Sequence, residues 1–261
     1  MSASQPTFRT HISRVAPGEI SIRGGRIEDL IDTATFTDVV CLVIHGRRPS
    51  QTERVLVDAI FASAADHGFV GTPTAVTRYA ASGSGSLPAA VAAGILGIGA
   101  TTAVPHLIAE LLRDLAGEDG PRAVPDERID ELVRGYRSRH ERLPGLGHPV
   151  HRPIDPRSEA LRRVARRNGC YDGYVALADR LADRFTVVTG RELTLNVDAL
   201  IGAILLEFGW TPEQIFGLTI LALTPSLVAH GIEEIADGRP MRIIPTDQVE
   251  YPTDDEPGPR P

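Results

Sequence analysis

The sequence predicts an all-α protein, and three observations predict it. Apolar residues recur at three- and four-residue steps through most of the chain. The ends of those runs carry residues that cap or stop helices. The segments with strand character, Glu19 to Arg23 and Arg242 to Ile244, are short. No self-similarity at solenoid period accompanies the helices.

In chain order, residues 1–14 and 251–261 are polar and carry too little apolar surface to offset the entropy of ordering, so a loose N-terminus and a disordered tail are expected. Pro49-Ser50 precedes a helix with Val55, Ile60 and Phe61 on its buried face. Pro105 suits the first turn of a second helix, along which Leu107, Ile108, Leu111, Leu112 and Leu115 recur. Asp155-Pro156 reads as an N-cap followed by proline at the first helical position, and Gly169 stops the run of Leu161, Val164 and Ala165. A further helix carries Val197, Leu200, Ile201, Ile204 and Leu205 and ends near Gly209. Thr211-Pro212-Glu213-Gln214 then has the pattern of a capping box.

Composition bounds the chemistry. All 27 basic residues are arginine, against 34 acidic ones, for a net charge of −7 over 261 residues. Without lysine there is no Schiff-base chemistry and no P-loop amine to reach nucleotide phosphates. An acidic balance with 5% aromatic residues argues against a nucleic-acid partner. Two cysteines, Cys41 and Cys170, make no disulfide framework, and the opening residues lack a charged-then-apolar leader, so a cytoplasmic location is expected. The longest apolar run, Ile215 to Ala229, is interrupted by polar residues and proline and reads as too short for a membrane span, so no membrane is expected. The expected ligand is a small molecule.

Several segments place ionisable or anion-binding residues at element boundaries. His148 follows Gly145 and Gly147, where the backbone can approach a ligand closely, and precedes Pro149; it is a working imidazole or a histidine satisfying a turn. Arg157 lies in the first turn of a helix whose free N–H groups favour anions, so it reads as a carboxylate or phosphate ligand or as a solvated surface arginine. Asp198 sits among Leu195, Val197, Leu200 and Ile201, a setting that raises a carboxylate towards general-base strength; it also suits the start of a helix. His67 is a site residue or a histidine at a helix C-terminus. Three other patterns are read as inert. Pro149 and Pro153 break the helical register that a metal pair at His148 and His151, near His140, would use, so no metal is expected. Gly83-Ser84-Gly85-Ser86 lacks the preceding strand of a dinucleotide loop. Arg162-Arg163 and Arg166-Arg167 read as a solvated face.

Taken together, the ordered segments resemble the citrate synthase superfamily. Ile22-Arg23-Gly24-Gly25-Arg26-Ile27-Glu28-Asp29-Leu30 with Val43 to Pro49 is similar to the family's opening segment. Asp66-His67, Gly147-His148 through Asp155-Pro156-Arg157, Asn196-Val197-Asp198 and Arg239-Pro240 follow its active-site motifs in order, and the match runs from about Val15 to Ile244. The resemblance implies a large helical domain, 15–142 plus 224–250, with a small closing domain, 143–223. It implies a homodimer with a shared active site. Asp198, His148 and His67 would be catalytic, Arg157 and Arg239 would bind substrate carboxylates, and Leu143, Gly145, Leu146, Gly147 and Arg152 would contact coenzyme A. No tightly bound cofactor is implied; the coenzyme A thioester is a substrate, and an oxo or hydroxy acid is the other.

Two departures bear on the reaction. Where citrate synthases carry a histidine that steadies the acetyl-CoA enol, this chain has Thr101, as citryl-CoA lyases also lack that histidine. The position of a carboxylate-clamping arginine is taken by Leu223. The resemblance therefore implies a citryl-CoA lyase-like enzyme that cleaves a hydroxyacyl-CoA to acetyl-CoA and oxaloacetate or a related oxo acid. Two other readings stand beside it: a citrate or 2-methylcitrate synthase, and a catalytically silent subunit that binds coenzyme A.

Overall fold

The computed structural model describes residues 8–99 and 101–251; of the stretches expected to be loose, 1–14 and 251–261, residues 1–7 and 252–261 lie outside the described residues, whereas Ser13 and Arg14 are paired in a strand, opposite Ile22 and Ser21. The described chain is helical, as expected, with eleven α-helices and one small antiparallel sheet.

That sheet opens the chain. β1 (Ser13–Ala16), β2 (Glu19–Ile22) and β3 (Gly25–Arg26) pair in sequence order. Only β2 was expected. Pairing of Ala16 with Glu19 leaves Pro17-Gly18 as the first turn, with Gly18 at φ +72°. Pairing of Ile22 with Gly25 leaves Arg23-Gly24, whose φ values of +49° and +84° suit the right-handed twist of a tight hairpin. There follow α1 (Ile27–Thr33), α2 (Phe36–Ile44) and α3 (Gln51–Ala64). α3 follows Pro49-Ser50 as the sequence predicts, with Ser50 as its N-cap and Glu53 reciprocating to complete a capping box.

α4 (Thr72–Ser84) and α5 (Leu87–Leu96) come next, joined by Gly85 in the left-handed conformation with Ser86 as the N-cap of α5. The glycine–serine segment is thus a helix–helix turn. The chain continues through α6 (Pro105–Ala116), α7 (Asp126–Ser138), α8 (Pro156–Arg167), α9 (Tyr174–Thr189), α10 (Val197–Glu207) and α11 (Pro212–Asp237). Thr211 and Gln214 make the expected reciprocal bonds at the start of α11.

The chain divides into two compact units. The first holds Met1–Asp66 with Ile98–Pro225, and the second His67–Gly97 with Ser226–Pro261. The segment expected to form a small domain, 143–223, lies inside the first of these.

In the first unit α10 is the central helix. Every residue from Ala199 to Leu206 is buried. Gly202 lets α6 approach: a methyl group there would lie 2.6 Å from the carbonyl oxygen of Pro105. Glu207, at the end of α10, caps α9 from outside by accepting from the Val175 N–H at 3.2 Å. Both cysteines are free and buried in this core. By length and composition α11 is long and apolar enough to cross a membrane, although its polar interruptions had read as stops. The core helices of soluble proteins have the same character, and Ile215 and Leu218 of α11 pack into this core.

The second unit is built on contact between α4 and α5, where Gly94 leaves no room for a methyl group beside Thr77. Arg78, buried, pairs with Glu233 at 2.6 Å and Glu234 at 3.1 Å. The strand expected at Arg242 to Ile244 does not form. Its backbone is engaged elsewhere: Met241 N–H donates to the Ser82 carbonyl and Arg242 N–H to the Ser82 hydroxyl, while the Arg242 guanidinium pairs with Glu234.

Candidate active site

The first unit brings four of the expected residues' neighbourhoods together around the N-termini of α6, α8 and α10. The loop Leu143 to Gly147 runs antiparallel to Thr194–Asn196. Gly147 N–H donates to the Thr194 carbonyl at 2.7 Å, Asn196 N–H to the Gly145 carbonyl at 2.9 Å, and the Asn196 side chain to the Gly147 carbonyl at 3.1 Å. Gly145 and Gly147 both adopt φ of +81°, and a methyl group on Gly145 would meet Ala199 at 2.9 Å and Ile108 at 3.0 Å. The loop therefore lies directly on α10 and α6, and glycine is what allows it. Leu143 and Gly145 are buried, so a ligand would meet this loop along Leu146 and Gly147. Arg152 is exposed and donates to the His148 carbonyl at 3.1 Å.

Asn196 caps α10, its side chain accepting from Ala199 N–H. That leaves Asp198 within the first turn without a capping duty, which removes the alternative reading of it as an N-cap. Asp198 Oδ2 accepts from the backbone N–H of Val104 at 3.2 Å. Val104 is itself the N-cap of α6, and Ala103 before it is held at φ +57°. Burial pushes the pKa of Asp198 up; the Val104 N–H and the Arg157 charge pull against that, and the charge of Asp155 adds to it. A carboxylate so placed holds or releases a proton more readily near neutral pH than a solvated one.

His148 is half-buried, and its ring stacks on that of His151 with centroids 4.5 Å apart. The backbone N–H groups of Val150 and His151 both point at Nδ1, at 3.1 and 2.9 Å. Nδ1 is thus the acceptor, and a neutral ring carries its proton on Nε2. Arg157 Nη2 lies 3.3 Å from that Nε2, so imidazole and guanidinium present donors to one place. An anionic or partly anionic oxygen suits that place.

Arg157 is fixed from behind. Asp155, buried, takes its Nε and Nη2 at 3.0 and 2.9 Å and its backbone N–H at 3.0 Å. This is more than the solvated arginine that the alternative reading would require. Burial opposes the charge on Asp155, but hydrogen bonds from the Arg157 side chain and backbone outweigh it and hold the carboxyl below its usual range.

The remaining expected residues, His67 and Arg239, belong to the second unit. His67 is half-buried, in the turn beyond α3, and Arg239 is exposed beyond the end of α11. Thr101 is exposed in the turn before α6, and Leu223 is half-buried in α11. Sequence reasoning missed the Val104 N–H and the reach of Asp155. No local pattern announces a bond between residues 104 and 198. The reading of Arg162 as solvated is corrected: it pairs with Glu159 and, at 2.8 Å, with Asp179 of α9. Arg163, Arg166 and Arg167 are exposed.

Residues 48–244 match the family described as citrate synthase, C-terminal domain. "Putative citrate synthase 2" of Mycobacterium tuberculosis is 30% identical over 190 residues, 71% of this chain and 49% of that one. "Citrate synthase, glyoxysomal" of Cucurbita maxima is 27% identical over 203 residues, 73% of this chain and 37% of that one. The chain thus spans half or less of the length of these curated relatives. Among solved structures, citryl-CoA lyase from Hydrogenobacter thermophilus is similar with a TM-score of 0.85 and 28% identity, over 98% of both chains. An ATP citrate lyase of Methanosaeta concilii, in complex with (3S)-citryl-CoA, shares the fold with a TM-score of 0.82 and 20% identity, over 97% of this chain and 43% of that one.

Proposed function

The chain belongs to the citrate synthase family, and from that membership we propose that it is a citryl-CoA lyase-like enzyme. It cleaves a hydroxyacyl-CoA thioester to acetyl-CoA and oxaloacetate or a related oxo acid. One observation carries the reading: Asp198 is a carboxylate whose pKa is raised by burial and which feels the charge of Arg157, whose guanidinium lies 3.3 Å from His148. Cleavage next to a thioester carbonyl leaves the bonding electron pair on the α-carbon as an enolate. Asp198 in its protonated form delivers a proton to that carbon, while the hydroxyl oxygen loses its proton and becomes the keto oxygen. The tautomer of His148 makes it a donor to that oxygen, and Arg157 holds a carboxylate of the acid product. His67 is then the group assigned to the hydroxyl proton. Coenzyme A is assigned to the loop Leu143–Gly147 and Arg152. The same reading includes a homodimer in which Arg239 reaches the partner's ligand.

Likeness to a citryl-CoA lyase along the whole of both chains favours the lyase. The curated relatives are named citrate synthases, and that favours the condensing direction as the second reading. There Asp198 would start ionised and withdraw the proton. The test offers each substrate set separately. With citryl-CoA, oxaloacetate is followed through malate dehydrogenase; with acetyl-CoA and oxaloacetate, free thiol is followed. Oxaloacetate release without thiol release supports the lyase, and the reverse supports the synthase. Silence in both with measurable coenzyme A binding supports the non-catalytic subunit.

A further inference from the structure

Asp155 takes no part in the chemistry proposed above, yet its side chain is wholly enclosed. A helix N-cap needs one oxygen and one N–H, and serine or asparagine would serve as well. Asp155 does more. Oδ1 accepts from the Arg157 N–H and Nε, both at 3.0 Å. Oδ2 accepts from Arg157 Nη2 at 2.9 Å and, from another element, the N–H of Val197 at 3.2 Å. Val197 opens α10, and Asp198 is the next residue. A single carboxylate therefore joins the beginnings of the two helices that carry Arg157 and Asp198. Both of its oxygens are occupied, and the guanidinium is gripped along one edge, a geometry that fixes orientation as well as distance.

We propose that Asp155 is the positioning residue of this site: it orients the Arg157 guanidinium and fastens the start of α8 to the start of α10, holding arginine and Asp198 at a set spacing. The inference rests on the roles given to Asp198 and Arg157 above. Its consequence is electrostatic as well as geometric. The charges acting on Asp198 are those of Asp155, which raises its pKa, and Arg157, which lowers it; the Val104 N–H at the start of α6 lowers it too. Removing the Asp155 charge therefore lowers the Asp198 midpoint, and removing the Arg157 charge raises it. A residue that served only as a cap would be replaced by serine without loss of turnover.

The test titrates Asp198 by carboxyl ¹³C NMR in the full chain, with the resonance assigned by its loss in Asp198→Asn. Wild type, Asp155→Asn and Arg157→Gln are compared, and turnover is measured on the same samples. Asp155→Asn is expected to move the midpoint down. Arg157→Gln is expected to move it up. Turnover in Asp155→Asn falls about 10²-fold, as for a reacting group misplaced by an ångström. Asp155→Ser, which keeps a capping oxygen, is expected to be as impaired as Asn. Unmoved midpoints, or turnover rescued by serine, overturn the proposal. If Asp155→Asn does not fold, Asp155→Glu, which keeps the charge and both oxygens but moves them by one methylene, decides: a folded variant with wild-type turnover overturns the proposal. A wild type silent towards every substrate defeats the lyase reading, while the Asp155→Asn midpoint still shows whether the Asp155 charge acts on Asp198.

Discussion

Two acidic residues in the first turns of helices, Glu53 in α3 and Asp198 in α10, show how the same chemical group is used in opposite ways. Glu53 is completely buried, and four donors converge on it: Arg47 Nη1 at 2.6 Å and Nη2 at 3.3 Å, Trp210 Nε1 at 2.8 Å, and the Ser50 N–H at 3.3 Å. Asp198 keeps some exposure and receives one hydrogen bond from the described residues, from Val104 N–H at 3.2 Å. A carboxylate supplied with donors on all sides ties elements together. One that is buried and thinly supplied sits nearer the point where it exchanges a proton. The density of donors, more than burial, separates the fastener from the reactive group.

The comparison predicts opposite outcomes for the two substitutions. Asp198→Asn keeps the shape and the Val104 bond, so the fold stands while turnover falls by ~10²–10⁴-fold, the usual contribution of a positioned acid or base. Oxaloacetate release by the purified variant, with circular dichroism to confirm the fold, checks this. Glu53→Ala leaves the buried Trp210 indole N–H without its acceptor and the Arg47 guanidinium with only the Arg48 and Phe208 carbonyls. It is expected to destabilise by about 3 kcal/mol in urea denaturation, with turnover per folded molecule unchanged. Equal activity loss in both variants would erase the distinction.

The third prediction sharpens it through pH. The folded state raises the pKa of Asp198, so the folded chain binds this proton more tightly than the unfolded chain does. The carboxylate is therefore no burden well below its unfolded pKa, and stability falls as pH rises from there through the folded value. Asp198→Asn removes that penalty. Its melting temperature is expected to approach wild type as pH falls below the ordinary carboxylate range and to exceed it at pH 7. A variant less stable than wild type at pH 7 would place Asp198 with Glu53 among the fasteners.

How much of this was legible depended on how local the signal is. Asp155 and Thr211 were readable as caps because the residues that answer them lie within three positions. Asp198, Arg157 and His148 were readable as candidates because glycine, proline and apolar neighbours mark their segments. The hairpin was missed although Pro17-Gly18 and Arg23-Gly24 are turn pairs, because its strands are only 4, 4 and 2 residues long and mostly exposed, without an alternating buried face. Arg242 to Ile244 misled for the converse reason: a β-branched pair suggested a strand, but Ser82 and Glu234 had taken the hydrogen-bonding groups. Bonds that join distant residues, Val104 to Asp198 and Val197 to Asp155, were invisible, since each is made by a backbone N–H that any residue would supply.

The smallest predicted effect tests the weakest part of the contrast, the single donor on Asp198. That donor is placed by Ala103, whose φ of +57° is a conformation in which a side chain costs roughly 1–2 kcal/mol. Ala103→Gly removes the steric cost but gives the unfolded chain more freedom, which offsets about 0.5–1 kcal/mol of the gain. The net change in stability is therefore expected to stay within about 1 kcal/mol, on the stabilising side. Glycine also loosens the turn that aims the Val104 N–H. Because that hydrogen bond lowers the pKa of Asp198 against burial, weakening it raises the midpoint further, and the alkaline limb of the lyase turnover profile, where the proton donor is lost, moves to higher pH. The same glycine exchange has no counterpart at Glu53, where Arg47 and Trp210 would hold the carboxylate even if the Ser50 N–H were lost. A stabilised Ala103→Gly variant with an unmoved pH profile would mean that α6 packing against Gly202, rather than the left-handed turn, places the donor.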